Sequence, residues 1–189
     1  MPLDPQHRQQ IAALVRDHGY EYRDPPFQLT SGGWSHDYVD GKHAVASGQA
    51  LQLASQAIID LIDEPFDAVG GPTMGADALA HGVSVLSGVG WFSVRKEPKG
   101  HGRHSWVEGT RIGRGDRVLM VEDVSSTGAS LLRAIDQVLE LGVTVVAATG
   151  LLDRSPEVAE RFAARSIPWR PLVTWEDIGI APLGVAGST

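Results

Sequence analysis

Residues 117–130, Arg-Val-Leu-Met-Val-Glu-Asp-Val-Ser-Ser-Thr-Gly-Ala-Ser, restrict what this chain can fold into more than any other stretch. Residues 118–121 are apolar and largely β-branched, long enough for a buried strand. The run stops at an acidic pair, Glu122 and Asp123, and a small polar loop follows, Ser125-Ser126-Thr127-Gly128. A helical period then runs over 129–141, with Leu131, Leu132, Ile135, Val138 and Leu139 on one side and Gly142 placed as a C′ glycine. Backbone N–H groups at a helix N-terminus, with Ser and Thr hydroxyls beside them, bind a phosphate dianion. Carboxylates just upstream accept hydrogen bonds from vicinal hydroxyls, as acidic residues do with a ribose. A ribose carrying a 5′-phosphate satisfies both ends of the stretch.

An ordinary βα turn with Asp and Ser as N-caps accounts for one or two of these polar residues. It does not account for two adjacent acids together with the hydroxyls of Ser125, Ser126, Thr127 and Ser130. A Walker A loop is excluded, because no Gly-x-x-x-x-Gly-Lys-Ser/Thr occurs in the chain. The remaining residues set the class. A length of 189 residues suits a single domain with one core. A net charge of −7 argues against a nucleic-acid coat or a membrane-surface protein. The absence of cysteine removes disulfide and thiolate-metal chemistry and agrees with a cytoplasmic location. The N-terminal residues show no basic-then-apolar leader and no apolar run approaches the ~18 residues of a span, so neither secretion nor membrane insertion is expected.

Taken in order, residues 4–18 predict a surface helix with Asp4 as N-cap and Pro5 in its first turn. Residues 27–42 predict two short strands around a turn at Gly32-Gly33, and 48–62 carry a helical period. Residues 66–71 predict a strand that runs into Gly70-Gly71-Pro72-Thr73-Met74-Gly75-Ala76, with a helix starting over 76–81. Glycines there let backbone N–H groups approach an anion closely. Further strands are expected at 91–95, 143–152 and 168–174, and a short helix at 155–165; the tail 176–189 shows no period. Strands alternating with helices give an α/β fold, a parallel sheet flanked by helices, with ligand loops at the strands' carboxyl ends.

The positive charge is concentrated elsewhere. Of the chain's three lysines, Lys42, Lys96 and Lys99, two fall in 95–109 beside Arg95, Arg103, His101 and His104. Pro98, Gly100 and Gly102 interrupt this segment, which lacks an apolar period and is expected to be a long mobile loop. In a chain of net charge −7 such a loop suits closure over a polyanion and stabilisation of a charged leaving group. A merely solvated basic loop is the plainer alternative. A nucleic-acid contact lacks a second basic patch or aromatic platform, and zinc at His101 and His104 lacks partner ligands.

The stretch 117–130 resembles the phosphoribosyl diphosphate (PRPP) signature of type I phosphoribosyltransferases. Arg95-Lys96-x-x-Lys99-x-His101-Gly102 is similar to the catalytic-loop signature of orotate phosphoribosyltransferases. Phe27-x-Leu29-x-Ser31-Gly32-x-x-Ser35-x-x-Tyr38-Val39-Asp40-Gly41-Lys42 resembles that family's N-terminal signature. Gly71-Pro72-Thr73-Met74-Gly75-Ala76 stands where the family binds pyrophosphate, and Arg154 where it has an arginine for the orotate carboxylate. The similarity covers residues 8–155, with the motifs in family order. Many members carry lysine where this chain has Thr30 and Met74, and an acid where it has Arg103.

The resemblance implies transfer of phosphoribosyl from PRPP to orotate, with release of pyrophosphate. It assigns catalysis to Lys99, Lys96, Arg95, His101 and Asp123. It assigns PRPP binding to Glu122, Asp123, the loop of Ser125, Ser126, Thr127, Gly128, Ala129 and Ser130, and Thr73, Met74 and Gly75. Base binding falls to Ser126, Arg154, Thr30 and Tyr38. The resemblance also implies Mg²⁺ held mainly through PRPP and pyrophosphate, and a homodimer whose 95–109 loop acts in the neighbour's site. A small hood over the sheet is expected from 1–45 and 170–189. Transfer to another base, or a non-catalytic PRPP-binding regulator, remains open at this point.

Overall fold

Period-2 and period-3.6 segments alternate through the chain, and they assemble as one mostly parallel sheet with helices on both faces. The computed structural model describes residues 2–29, 33–98 and 106–184. Helix α1 (Pro5–Leu14) starts at Asp4, whose carboxylate accepts from the amides of Gln6 and His7, and passes into a π-helical turn, Val15–Gly19. Strands β1 (Tyr20–Gln28) and β2 (Trp34–Val39) form a two-stranded antiparallel ribbon. Then come α2 (Gly41–Ala44), α3 (Gly48–Leu61), β3 (Ala68–Pro72), α4 (Asp77–Ser87), β4 (Gly90–Val94) and β5 (Val107–Gly109). The chain continues through β6 (Arg117–Ser125), α5 (Ala129–Leu139), β7 (Thr144–Asp153), α6 (Pro156–Ala163) and β8 (Val173–Thr174).

The main sheet has the order β5-β4-β3-β6-β7-β8, parallel throughout except for the β4–β5 pair. Its central strands are buried on both faces, which is why residues 118–121 and 146–152 read as nearly unbroken apolar runs. One face carries α1, α3 and α4 through Ile11, Ile58, Leu79 and Val83. The other carries α5 and α6 through Leu131, Ile135, Val138 and Phe162. Fully burying each such side chain contributes about 1.5–3 kcal/mol. The sheet closes tightly at Gly70 and Gly71. A Cβ on Gly71 would lie 2.0 Å from the Val121 carbonyl oxygen, so β3 approaches β6 only because that residue has no side chain.

Several boundaries differ from the sequence expectation. The ribbon begins at Tyr20, seven residues before the expected start, because Pro25 and Pro26 demote 20–26 as a strand. They are tolerated where the register with β2 breaks, between Tyr22 and Phe27. The acidic pair lies within β6, not beyond its end, since the strand runs on to Ser125. Residues 107–109 of the expected 95–109 loop are strand β5, antiparallel to β4. Residues 173 and 174 pair with β7 in the main sheet. The segment after them folds back on α1: Asp177 accepts from Arg8 Nη1 at 2.8 Å, and Ile178 is buried in the core.

Candidate active site

The carboxyl ends of β3, β4 and β6 open into one cleft of about 1010 Å³. That is the location expected for ligands in an open α/β sheet and a volume able to seat more than one small molecule. Its wall brings together Thr73, Met74 and Gly75 after β3, Arg95 and Lys96 after β4, Glu122 and Asp123 in β6, and Ser130 in the first turn of α5. These residues are scattered over 58 positions of the chain, from 73 to 130, and the sheet gathers them.

Asp123 is at the centre of this wall. A Cβ on Gly75 would sit 2.2 Å from its Oδ1, and a Cβ on Gly41 would sit 2.7 Å from its own Cβ. The 73–75 turn and α2 therefore close on the Asp123 side chain from two sides, and a side chain at either glycine would displace it. Burial raises the Asp123 pKa, with its own backbone hydrogen bonds and the Lys42 ammonium pulling the other way. Met74 is 71% exposed at the cleft mouth, and the Thr73–Met74 peptide is cis.

Glu122 alternates to the opposite side of β6 from Asp123, as adjacent strand residues must. Ser125 Oγ donates to its Oε2 at 3.4 Å. Burial, with the neighbouring Asp123 charge adding to it, pushes the Glu122 pKa up to about 8. That shift favours the protonated form of Glu122 at neutral pH, which can donate as well as accept, where the sequence suggested two carboxylates. The consequence for stability has a definite sign. The folded pKa lies above the unfolded value, so the stabilisation is complete below about pH 4.5 and is lost as pH rises toward 8. Urea titrations between pH 5 and 8 are expected to show stability falling by up to about 1.4 kcal/mol per pH unit in the wild type and a flatter profile in Glu122→Gln. Parallel profiles would remove Glu122 as the source.

Lys42 is the residue that motif reading left unassigned. Its Nζ lies 2.8 Å from Asp40 Oδ1 and 3.8 Å from Asp123 Oδ2, and its side chain lines the cleft. The hydrogen bond to Asp40 raises its pKa above the ordinary lysine value, so it is a cation throughout the neutral range. The available signal was Asp40-Gly41-Lys42 at the end of the N-terminal signature, where an acid, a glycine and a lysine precede a short helix.

The turn into α5 is built from Ser126, Thr127 and Gly128. Gly128 holds φ +69°, and a Cβ there would meet Phe162 at 2.9 Å. Thr127 Oγ1 accepts from the Ala129 amide at 3.4 Å, while the helix has no capping side chain at Gly128 itself. Ser125 is buried against Glu122; Ser126, Thr127, Gly128 and Ala129 follow directly in chain but are not part of the cleft wall, which this loop enters through Ser130.

Arg154 lies in a separate, neighbouring position. The register pairs Ser125 with Asp153, and the Arg154 amide donates to the Ser125 carbonyl at 2.8 Å, so Arg154 emerges at the carboxyl edge beside the α5 turn. It is only 3% exposed. Its Nη1 donates to the main-chain carbonyl of Asp37 at 3.0 Å, whereas Nε and Nη2 are buried with no hydrogen-bond partner among the described residues. Burial lowers its pKa from the usual arginine value, yet a guanidinium remains charged. Tyr38, next to Asp37 on β2, lies under the Arg23 guanidinium at 3.5 Å and meets the edge of Phe27. Thr30, Lys99 and His101 lie outside the described residues.

Among the described residues no three His, Cys, Asp or Glu side chains converge as a metal cage. The donors at the cleft are hard oxygens, principally Asp123. They fit Mg²⁺ as an ion that brings substrate oxygens and water for most of its shell.

A parallel sheet with an acidic strand end, a hydroxyl turn at a helix N-terminus and a cationic strand end across one cleft defines the phosphoribosyltransferase class. In agreement, the family model described as "Phosphoribosyl transferase domain" matches residues 43–173. The orotate phosphoribosyltransferase of Thermosynechococcus vestitus is 37% identical over 177 residues, covering 90% of this chain and 92% of that protein. The crystal structure of Mycobacterium tuberculosis orotate phosphoribosyltransferase with Fe(III) dicitrate superposes with a TM-score of 0.82 at 33% identity, covering 92% of this chain and 99% of that one. The same M. tuberculosis enzyme in complex with 5-phospho-alpha-D-ribosyl 1-diphosphate (PRPP) gives a TM-score of 0.77 at 32% identity, covering 92% of this chain and 99% of that one. The chain belongs to the orotate phosphoribosyltransferase family.

Proposed function

We propose that this protein transfers the phosphoribosyl group of PRPP to a ring nitrogen of orotate, giving orotidine 5′-phosphate and pyrophosphate, a step in making pyrimidine nucleotides. Family membership supports the reaction class, and one observation carries the choice of base. The two unpartnered nitrogens of Arg154, Nε and Nη2, share one edge of the guanidinium. That edge presents two parallel N–H donors, the spacing of a carboxylate's two oxygens. A buried guanidinium edge with no partner among the described residues is costly to desolvate and is satisfied by an anion of that shape.

In the reaction the bond from the anomeric carbon to the diphosphate oxygen breaks, the carbon–nitrogen bond to the base forms, and the ring nitrogen gives up its proton. The ribose passes through oxocarbenium character, as in glycoside hydrolysis. The turn Ser125–Ser130 takes the 5′-phosphate on its amides and hydroxyls. Asp123 and Glu122 bind ribose hydroxyls, one as a carboxylate and the other as a neutral acid. Thr73, Met74 and Gly75 hold the diphosphate through their backbone. Arg95, Lys96, Lys99 and His101 meet its charge as it leaves, on a loop that excludes water when closed. Mg²⁺ would be held mainly by oxygens of PRPP and pyrophosphate, with Asp123 as the nearest protein donor, and would supply neutralisation of phosphate charge. Ser126, Thr30 and Tyr38 complete the base site around Arg154. Residues 1–189 act as one catalytic domain with a hood over the base. The protein works in the cytoplasm as a homodimer, with the cationic loop serving the neighbouring site; membership in the family supports that assembly.

Asp123→Asn keeps the side chain's shape between Gly41 and Gly75 but removes its charge. It is expected to weaken PRPP binding by about 1.5–3 kcal/mol, the worth of a hydrogen bond to a charged group. Calorimetry with PRPP and Mg²⁺ giving wild-type affinity would count against a ribose role. The reaction itself is tested in reverse. Orotidine 5′-phosphate and pyrophosphate should yield orotate and PRPP with the wild-type protein, and failure to form either would reject the proposal.

A further inference from the structure

We infer that Lys42 is a further substrate-binding residue, contacting the diphosphate of PRPP, and that Asp40 and Asp123 hold its ammonium in place until that anion arrives. The inference rests on the function proposed above and adds to it a residue that none of the motifs assigns.

Position is the first support. Helix α2 has only four residues, and Asp40 caps it by accepting from the Lys42 amide at 3.0 Å. The same Asp40 Oδ1 takes the Lys42 ammonium at 2.8 Å. One carboxylate therefore fixes both the backbone and the side-chain end of this lysine. Gly41 sets the depth, because a Cβ there would lie 2.7 Å from Asp123 Cβ and 3.0 Å from Val124 Cγ2. Any other residue at 41 lifts α2, and Lys42 with it, away from the cleft.

Charge is the second support. Lys42 Nζ stands 3.8 Å from Asp123 Oδ2, beyond hydrogen-bond distance, while Asp40 is its close partner. Its side chain is 46% exposed, against 14% for each of the two carboxylates, so the ammonium is the end of the pair that a ligand in the cleft can reach. Gly41 and Gly75 both pack on Asp123, which sets Lys42 and the 73–75 turn on adjoining sides of one carboxylate. Arg95 and Lys96 come from β4 on the other side of β3. A diphosphate seated on the 73–75 turn is then held by cations on two walls. Among the described residues lining the cleft, β6 and α2 contribute Glu122 and Asp123 besides Lys42. A flexible ammonium with several donors suits an anion whose geometry changes as it leaves.

The test is direct binding, which needs no turnover and no base. Calorimetry would measure pyrophosphate with Mg²⁺, and orotidine 5′-phosphate separately, on the wild type, Lys42→Met and Lys42→Gln. Thermal melts would accompany each variant, and the exposure of the side chain makes both substitutions compatible with the fold. Pyrophosphate affinity is expected to fall about tenfold to a hundredfold in both variants, with orotidine 5′-phosphate changed by less than about threefold. Wild-type pyrophosphate affinity in either folded variant would overturn the assignment. So would an equal loss for both ligands, which would mean that Lys42 only supports Asp123. Wild-type protein that binds pyrophosphate but does not turn over orotate would instead reject the proposed reaction and leave the Lys42 result standing.

Discussion

Arg154→Met is expected to lower the specificity constant for orotate by about two to three orders of magnitude while leaving the melting temperature unchanged or higher. Truncating one partner of a buried charge-assisted pair costs about 2–5 kcal/mol, and the fork formed by Nε and Nη2 is the part of the site matched to a carboxylate. The stability side runs in the opposite direction. The Arg154 guanidinium is a buried cation whose one hydrogen bond among the described residues is to the Asp37 carbonyl. Replacing it with an apolar side chain of similar length removes a desolvation penalty of several kcal/mol at the loss of that one bond. A site that destabilises the empty fold in order to receive its ligand is a recurring trade between stability and function. Paired thermal melts and steady-state kinetics check both halves. A variant that lost stability but kept its orotate specificity would show Arg154 to be a structural strut.

Lys99→Ala is expected to reduce kcat by about two orders of magnitude with little change in PRPP affinity. Lys99 falls in the segment joining β4 to β5, whose ends are tied by the Arg95 amide donating to the Trp106 carbonyl at 2.8 Å. The Arg95 side chain is also engaged, its Nη1 lying 3.2 Å from Glu108 Oε1. Lys99 is proposed to meet the diphosphate only as it departs, and a contact made only in the transition state changes kcat, not ground-state binding. Loss of one such contact in a closed site raises the barrier by roughly 3 kcal/mol, by analogy with donors that stabilise a developing oxyanion. An unchanged kcat would exclude this role for Lys99.

Strong local patterns made much of the architecture readable. Residues 118–121 and 129–141 state strand and helix through burial on both faces of one and an apolar stripe on the other, and both elements occur where expected. Weak or contradictory patterns hid the rest. Pro25 and Pro26 masked the first half of β1, and the three-residue β5 carries too little pattern to stand out from a basic segment. Helix α2 is a single turn set by one capping acid, and Lys42 went unassigned with it.

The electrostatic state of the site was hidden for a different reason, because it depends on neighbours remote in sequence. Arg154 is engaged by the carbonyl of Asp37, 117 residues earlier, and the other edge of its guanidinium has no partner among the described residues. Burial in the sheet raises the Glu122 pKa, which the letters Glu-Asp alone do not reveal. Motif order nominated the candidate residues, whereas their burial and hydrogen bonding could be read only from the fold.

The most direct measurement is a base panel with purified wild-type protein, PRPP and Mg²⁺, following pyrophosphate release and identifying the nucleotide formed. Orotate and uracil differ at the ring position that carries the carboxylate, so their ratio of specificity constants reports whether the Arg154 fork is read. Orotate is predicted to be converted to orotidine 5′-phosphate with a specificity constant at least about a hundredfold above that for uracil, the value of a charge-assisted bidentate contact. Equal use of the two bases, or release of pyrophosphate with a purine in preference to orotate, would contradict the account.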